Sequence, residues 1–272
     1  MRHNIQLHSC AGEAETEHDP FVYEHSLSFI TSGSAEIFTS EGAISYPAGT
    51  LSLIRRNQLL KVTKKPDGEK LFASVSVFLD QEILKKYSLE YDVKANGIYT
   101  GAPNVVLEVD PFLKGFFDSL MPYFAQPEKL TPVLEQLKTT EAIELLLRNP
   151  ELKNFLFDFS EPHKLDLEAY MNRHFSYNVP IAQFAKLTGR SLSTFKRDFV
   201  KTFSATPQKW LQQQRLEKAF FLLSEKHQRP SDVYLEAGFE NLSHFSYAFK
   251  NYFGQTPGEL VQPKENASAK NL

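Results

Sequence analysis

The sequence predicts an α+β protein of two parts: a β-barrel with appended helices, then an all-α domain of two helix-turn-helix units joined by a linker helix. Three observations lead there. Apolar residues alternate with a two-residue period between His25 and Leu79, switch to helical spacing between Asp110 and Phe159, and repeat at an offset of fifty residues in the last hundred. A chain of 272 residues is long enough to bury two separate cores.

The alternating stretch, placed at about residues 20–80, is broken by turn chemistry at Ser32-Gly33-Ser34, Glu41-Gly42, Pro47-Ala48-Gly49 and Pro66-Asp67-Gly68. Short strands at such spacing make a sandwich or a barrel. Beyond it, Phe112, Phe116, Leu120 and Phe124 recur every four residues. Leu130, Leu134 and Leu137, with Ile143, Leu146 and Leu147, continue the helical spacing. These residues predict two or three amphipathic helices over about 110–159, which either pack on the barrel or join two copies of the chain as a homodimer.

Ser160-Glu161-Pro162-His163 combines polar residues with a helix-breaking proline, which places the boundary between a domain at 1–160 and another at 163–261. Residues 262–272 lack periodicity and are expected to form a disordered tail.

Composition narrows the function classes. Hydrophobic residues make up 42% and charged residues 23%, as in ordinary globular proteins. No apolar run approaches the length of a membrane span, and Met1-Arg2-His3-Asn4 is not followed by a signal-peptide core, so a cytoplasmic protein without a membrane partner is expected. Cys10 is alone and is expected to be an inert thiol. The net charge of -3 is unevenly divided. From His163 onward there are 15 lysines and arginines against 10 acidic residues; the first 162 residues hold 15 against 23. The cation excess therefore lies at the C-terminal end, where a phosphate-binding module would need it.

The fifty-residue offset aligns Leu192, Phe195, Phe199, Phe203, Thr206 and Pro207 with Leu242, Phe245, Phe249, Phe253, Thr256 and Pro257. Each copy reads as a short helix, a glycine-containing turn and a longer helix with one apolar face. The first unit spans 180–203, with Ile181, Phe184, Ala185 and Leu187 on the short helix and Gly189 in the turn. The second spans 230–253, with Val233, Leu235 and Ala237 ahead of Gly238-Phe239. Ser191 and Asn241 are the expected N-caps of the longer helices. Between the units, Thr206-Pro207 opens a linker helix over 206–225 with proline at its first position. About 18 residues at 1.5 Å each make a rod of about 27 Å, close to the roughly 34 Å between successive major grooves.

If Leu192, Phe195, Phe199 and Phe203 face inward, then Ser193, Thr194, Lys196, Arg197 and Lys201 face outward. In the second unit Leu242, Phe245, Phe249 and Phe253 leave Ser243, Ser246, Tyr247 and Lys250 outside. A major groove admits one helix, and an arginine fork can bond guanine O6 and N7 together.

Gly238-Phe239, Phe245, Phe249-Lys250, Phe253-Gly254 and Thr256-Pro257 resemble the signature of the AraC/XylS family of transcription regulators, and the resemblance covers about Lys164 to Val261. It implies a sequence-specific regulator, an activator in keeping with most of the family, with double-stranded DNA and RNA polymerase as partners. Carried over by position, it implies base contacts at Ser193, Lys196 and Arg197, with Ser243 and Tyr247 in the second unit. Thr194, Lys201, Ser246 and Lys250 are assigned to phosphates, which position without specifying sequence. Two departures stand out. Tyr234 occupies a place usually held by a small residue, and Pro257-Gly258-Glu259-Leu260 lacks the basic residue often found after this proline. The second reading face carries no arginine, so it is expected to read sequence weakly.

The N-terminal part resembles, less specifically, the cupin-like sensory barrel of this family, most clearly at Pro47-Ala48-Gly49 followed by Leu51, Leu53 and Ile54. Metal-binding cupins cluster histidines and a carboxylate, whereas His25 stands alone on its strand and Asn57-Gln58 replaces a late-motif histidine. No metal, cofactor or catalytic residue is expected. Arg55-Arg56 is read as surface charge, because adjacent strand residues point in opposite directions and only one could meet an anionic effector. Two alternatives stay open: the same DNA-binding module fused to a cupin-type metalloenzyme, and a regulator controlled by a protein rather than a small molecule.

Overall fold

The computed structural model describes residues 4–10, 15–16, 20–39, 42–68, 70–160 and 164–261. The tail expected at 262–272 lies outside the described residues. The chain is mixed α+β and divides into two compact units, Met1–Pro162 and His163–Leu272. Among the described residues no helix is long and apolar enough to cross a membrane.

The first unit begins with strands β1 (Ile5–Cys10), β2 (Glu15–Thr16), β3 (Phe21–Val22), β4 (His25–Ser32), β5 (Ser34–Thr39) and β6 (Gly42–Pro47). It continues through β7 (Leu51–Ile54), β8 (Gln58–Leu59), β9 (Lys61–Lys65), β10 (Phe72–Leu79), α1 (Gln81–Glu90) and β11 (Asn104–Leu107). Helices α2 (Pro111–Ala125), α3 (Pro132–Leu147) and α4 (Leu152–Phe157) complete it. A five-stranded sheet runs in the order β1-β10-β4-β7-β11, a four-stranded sheet in the order β2-β9-β5-β6, and β3 pairs with β8.

The two-residue period separates the five-stranded sheet into unlike faces, because successive side chains leave a strand on opposite sides. Leu27, Phe29, Leu51, Leu53, Val75 and Val77 share one core with Leu113, Phe116, Phe117, Leu120, Ala142, Ile143 and Leu146 from the helices. The alternate positions are serines. Ser28 sits opposite Ser52 on one neighbouring strand and Ser76 on the other, so hydroxyls form a row across the sheet. Ser28 and Ser76 are bonded at 2.7 Å, Ser26 and Ser28 at 3.0 Å. These serines, with Ile30, Ile37, Tyr46 and Val62, line a cavity of about 390 Å³ reached by residues of both larger sheets.

Several sequence expectations need correcting. Phe112 is 62% exposed, and the buried stripe of α2 is Leu113, Phe116, Phe117 and Leu120. A strict four-residue step drifts off a helix that turns every 3.6 residues, so Phe112 leaves the seam. Leu137 of α3 is likewise exposed, while Thr139, Ala142, Ile143 and Leu146 go inside. Arg55-Arg56 is not surface charge. Arg56 is buried, and Arg55 donates to Asp158 at 2.7 Å across the unit. Both lie past the end of β7, where the alternation of a strand no longer applies: Asp158 offers its carboxylate to Arg55 and its carbonyl, at 3.4 Å, to Arg56.

The second unit consists of α5 (Leu167–His174), α6 (Ile181–Leu187), α7 (Leu192–Phe203), α8 (Pro207–Ser224), α9 (Pro230–Glu236), α10 (Leu242–Phe253) and α11 (Pro257–Val261). Its core is a ladder of rings built twice. Phe195, Phe199 and Phe203 step along α7 onto Trp210 of α8; Phe245, Phe249 and Phe253 step along α10 onto Phe220, also of α8. Each fully buried ring of this kind stabilises the fold by roughly 2–3 kcal/mol, so the two ladders hold both units to one shared helix. Leu192 and Leu242, expected inside, are each 41% exposed. Both stand at the first helical position, where the Cα–Cβ bond tilts toward the N-terminus and carries the side chain past the end of the ladder.

Candidate nucleic-acid interface

Helices α7 and α10 are started by the same device. Ser191 accepts from the Thr194 amide at 3.3 Å, and Asn241 accepts from the Ser243 and His244 amides at 2.8 and 3.1 Å. Ahead of each cap the chain turns through a glycine at positive φ, Gly189 at 66° and Gly238 at 95°. The helices also end alike, in the left-handed region: Gly254 at φ 77° after α10 and Ser204 at φ 54° after α7.

With the phenylalanines turned in, the polar face of α7 is left outside. Ser193, Lys196, Arg197 and Lys201 are exposed, and Thr194 is half-buried, its hydroxyl bonded to Ser191 at 2.9 Å. On α10, Ser243, Tyr247 and Lys250 are exposed and Ser246 is half-buried. Tyr247 is 69% exposed, an unusual placement for a ring with nothing to cover it. His244, exposed between Ser243 and Tyr247, belongs to the same surface and was not singled out from sequence.

Two arginines seven positions apart behave oppositely. Arg190, in the turn, has a side chain 7% exposed; its Nε donates to Asp198 at 3.2 Å, and one amino group to the carbonyls of Leu165 and Thr188 at 3.0 and 2.7 Å. Arg197 is 78% exposed, with only its Nε within 3.7 Å of Asp198. Asp198 therefore sits between an arginine that fixes the turn and one that points away. Burial pushes the Asp198 carboxyl upward, but the bond from Arg190 and the charges of Lys164, Arg190 and Arg197 outweigh it and hold the group below its usual range. The sequence signal for this was a carboxylate on an otherwise basic helix face.

Residues 184–262 match the helix-turn-helix domain family, and residues 25–157 match the ExsA N-terminal regulatory domain family. Over 98% of its length the chain is 24% identical to the HTH-type transcriptional regulator ExsA of Pseudomonas aeruginosa, spanning 96% of that protein. Its helix-turn-helix domain is of the AraC type. It is also 26% identical to the virulence regulon transcriptional activator VirF of Yersinia enterocolitica over 59% of its length, spanning 60% of that relative. A crystal structure of an apo variant of ToxT from Vibrio cholerae aligns over 94% of the chain and 96% of ToxT, with 12% identity and a TM-score of 0.47.

The last helix of this AraC-type domain carries one more local feature. Thr256 and Glu259 cap α11 reciprocally: the Thr256 hydroxyl accepts from the Glu259 amide at 3.2 Å, and the Glu259 carboxylate accepts from the Thr256 amide at 2.6 Å. The absent basic residue after Pro257 thus stands where an acidic one serves the fold.

Proposed function

We propose that the chain is a sequence-specific DNA-binding transcriptional activator whose α7 and α10 enter successive major grooves. The observation that carries the reading is the twofold occurrence of a capped helix whose apolar face is consumed by a ring ladder on α8 and whose polar face is free. Arg197 is the principal base reader, flanked by Ser193 and Lys196, with Lys201 and Thr194 on phosphates. Ser243 and Tyr247 read the second groove more weakly, with Ser246 and Lys250 on the backbone. RNA polymerase is the partner through which bound protein acts.

The test is a titration on a duplex selected from random DNA by the wild-type chain. Arg197→Ala should lose about 1–3 kcal/mol of binding and relax one base position; Lys201→Ala should weaken all sequences alike and lower the salt slope by about one. Unchanged affinity and unchanged preference in Arg197→Ala would remove Arg197 from the reading head.

The first unit is the regulatory one, and its roomy interior favours a small-molecule effector over a protein partner. A barrel filled by its own side chains would favour the reverse. The cavity, walled by apolar side chains and floored by serine hydroxyls, suits a mainly apolar molecule with a few hydrogen-bonding groups. Phe112, Val133 and Leu137, exposed on α2 and α3, are the surface through which a homodimer would form. A monomer mass by light scattering at tens of micromolar would reject that dimer.

A further inference from the structure

The two reading units touch each other directly as well as sharing α8, and the contact is built around Arg215. This residue lies on α8 between Trp210, packed on the ladder of the first unit, and Leu216, in the second unit's core. All three of its side-chain nitrogens are engaged on the loop that leaves α5: Nε donates to the Phe175 carbonyl at 2.9 Å, one amino group to the Tyr177 carbonyl at 2.9 Å, and the other to Asn178 Oδ1 at 3.2 Å. Carbonyls past a helix end lack intrahelical partners, so a guanidinium capping them fixes a loop that would otherwise be free to move.

The same loop meets the turn of the second unit. A β-carbon on Gly238 would lie 2.4 Å from the Ser176 carbonyl oxygen and 3.1 Å from Arg215 Nε, so the two backbones approach as closely as only glycine permits. Next to it, Asn178 Nδ2 donates to Glu240. Glu240 immediately precedes Asn241, the cap on which α10 begins. On its other side the loop runs into α6 and so to α7. One cluster therefore connects the origin of one reading helix with the support of the other. Burial lowers the Arg215 guanidinium to about 10, opposed by the Glu240 charge, and leaves it a cation at neutral pH.

We propose that Arg215, with the Asn178–Glu240 bond and the Ser176–Gly238 contact, is a positioning group that sets the register between α7 and α10, so that the chain selects DNA by the spacing of its two half-sites. This rests on the two-groove reading above. One inserted base pair moves a half-site by about 3.4 Å and turns it by about 36°, which a locked pair of helices cannot follow. A loose pair could.

The experiment uses the full chain and a duplex selected from random DNA by the wild type, remade with the spacer one base pair shorter and one or two longer, plus a duplex keeping only the half-site bound by α7. The wild type should prefer its own spacing by about tenfold or more. Arg215→Met should compress that preference to within about threefold, while binding to the single half-site stays within about twofold. A lower melting temperature with the wild-type spacing preference retained would make Arg215 merely structural and overturn the proposal. Should Arg215→Met fail to fold, the pair Asn178→Ala with Glu240→Ala decides: a narrowed preference supports the coupling, an unchanged one overturns it. A wild-type chain indifferent to spacing, or protected over one half-site only, would instead bring down the two-groove reading and this inference with it.

Discussion

Arg190 and Arg197 carry the same charge and reach the same carboxylate, yet their surroundings give them different work. Arg190→Met should leave the Leu165 carbonyl unsatisfied and take one donor each from the Thr188 carbonyl and Asp198, costing roughly 2 kcal/mol in urea unfolding while base preference is kept. Arg197→Ala should show the reverse, with stability unchanged and preference relaxed. A second residue-scale expectation concerns His25, buried against Phe155 with its Nε2 unbonded and its Nδ1 accepting weakly from the Arg56 amide at 3.4 Å. Burial, then the charges of Arg56 and Arg55, lower its pKa to about 3. Between about 6.5 and about 3 the unfolded chain takes up a proton that the folded chain refuses. Stability is therefore lost as pH falls through that window, by at most about 1.4 kcal/mol per unit. His25→Phe should flatten the difference between urea midpoints at pH 7 and pH 5. Asp158 cannot account for it there. Burial raises its carboxyl, but bonds from Ser160 and the Tyr99 amide and the Arg55 charge outweigh this and hold it at about 2, so its own contribution is lost only below about pH 4.

At the scale of elements, the two long helices differ most at their ends. Gly254 adopts the left-handed region freely, whereas Ser204 adopts it against its β-carbon. Ser204→Gly should stabilise the second unit by about 1 kcal/mol, after allowing for the greater freedom of glycine in the unfolded chain, and raise the urea midpoint without altering DNA affinity. The caps, the turns and the proline start of α8 were legible, because each rests on a side chain acting within four residues of itself. The exposure of Leu192, Phe112 and Leu137 was not, since spacing alone does not say where a stripe begins or how far it drifts. Strand β1, strand β11 and helix α1 were also missed. Their partners, β10 for β1 and β7 for β11, lie far off in sequence, and pairing at that distance leaves no local mark.

For the whole molecule, the two units have separate cores and opposite charge, and the uneven charge was readable from composition. The outward faces of α7 and α10 followed from the repeat. What supports them did not: Arg190, Asp198, Arg215 and the Asn178–Glu240 bond act across turns whose folding has to be known first. A chain of residues 163–261 alone is expected to fold, because both ring ladders and α8 lie inside it. It should bind the selected duplex with the same Arg197 dependence in fluorescence anisotropy. Loss of that dependence in the shortened chain would show that the regulatory unit helps to place α7.

The phenylalanine ladders have one more consequence, for retargeting. Because every ring that secures α7 and α10 is turned into the core while Ser193, Lys196, Arg197, Ser243 and Tyr247 are exposed, the stabilising residues and the proposed reading residues occupy separate positions in the sequence. A library randomised at those five sites would therefore sample new recognition sequences on an intact scaffold, and its members should melt within a few degrees of one another however widely their preferred DNA diverges.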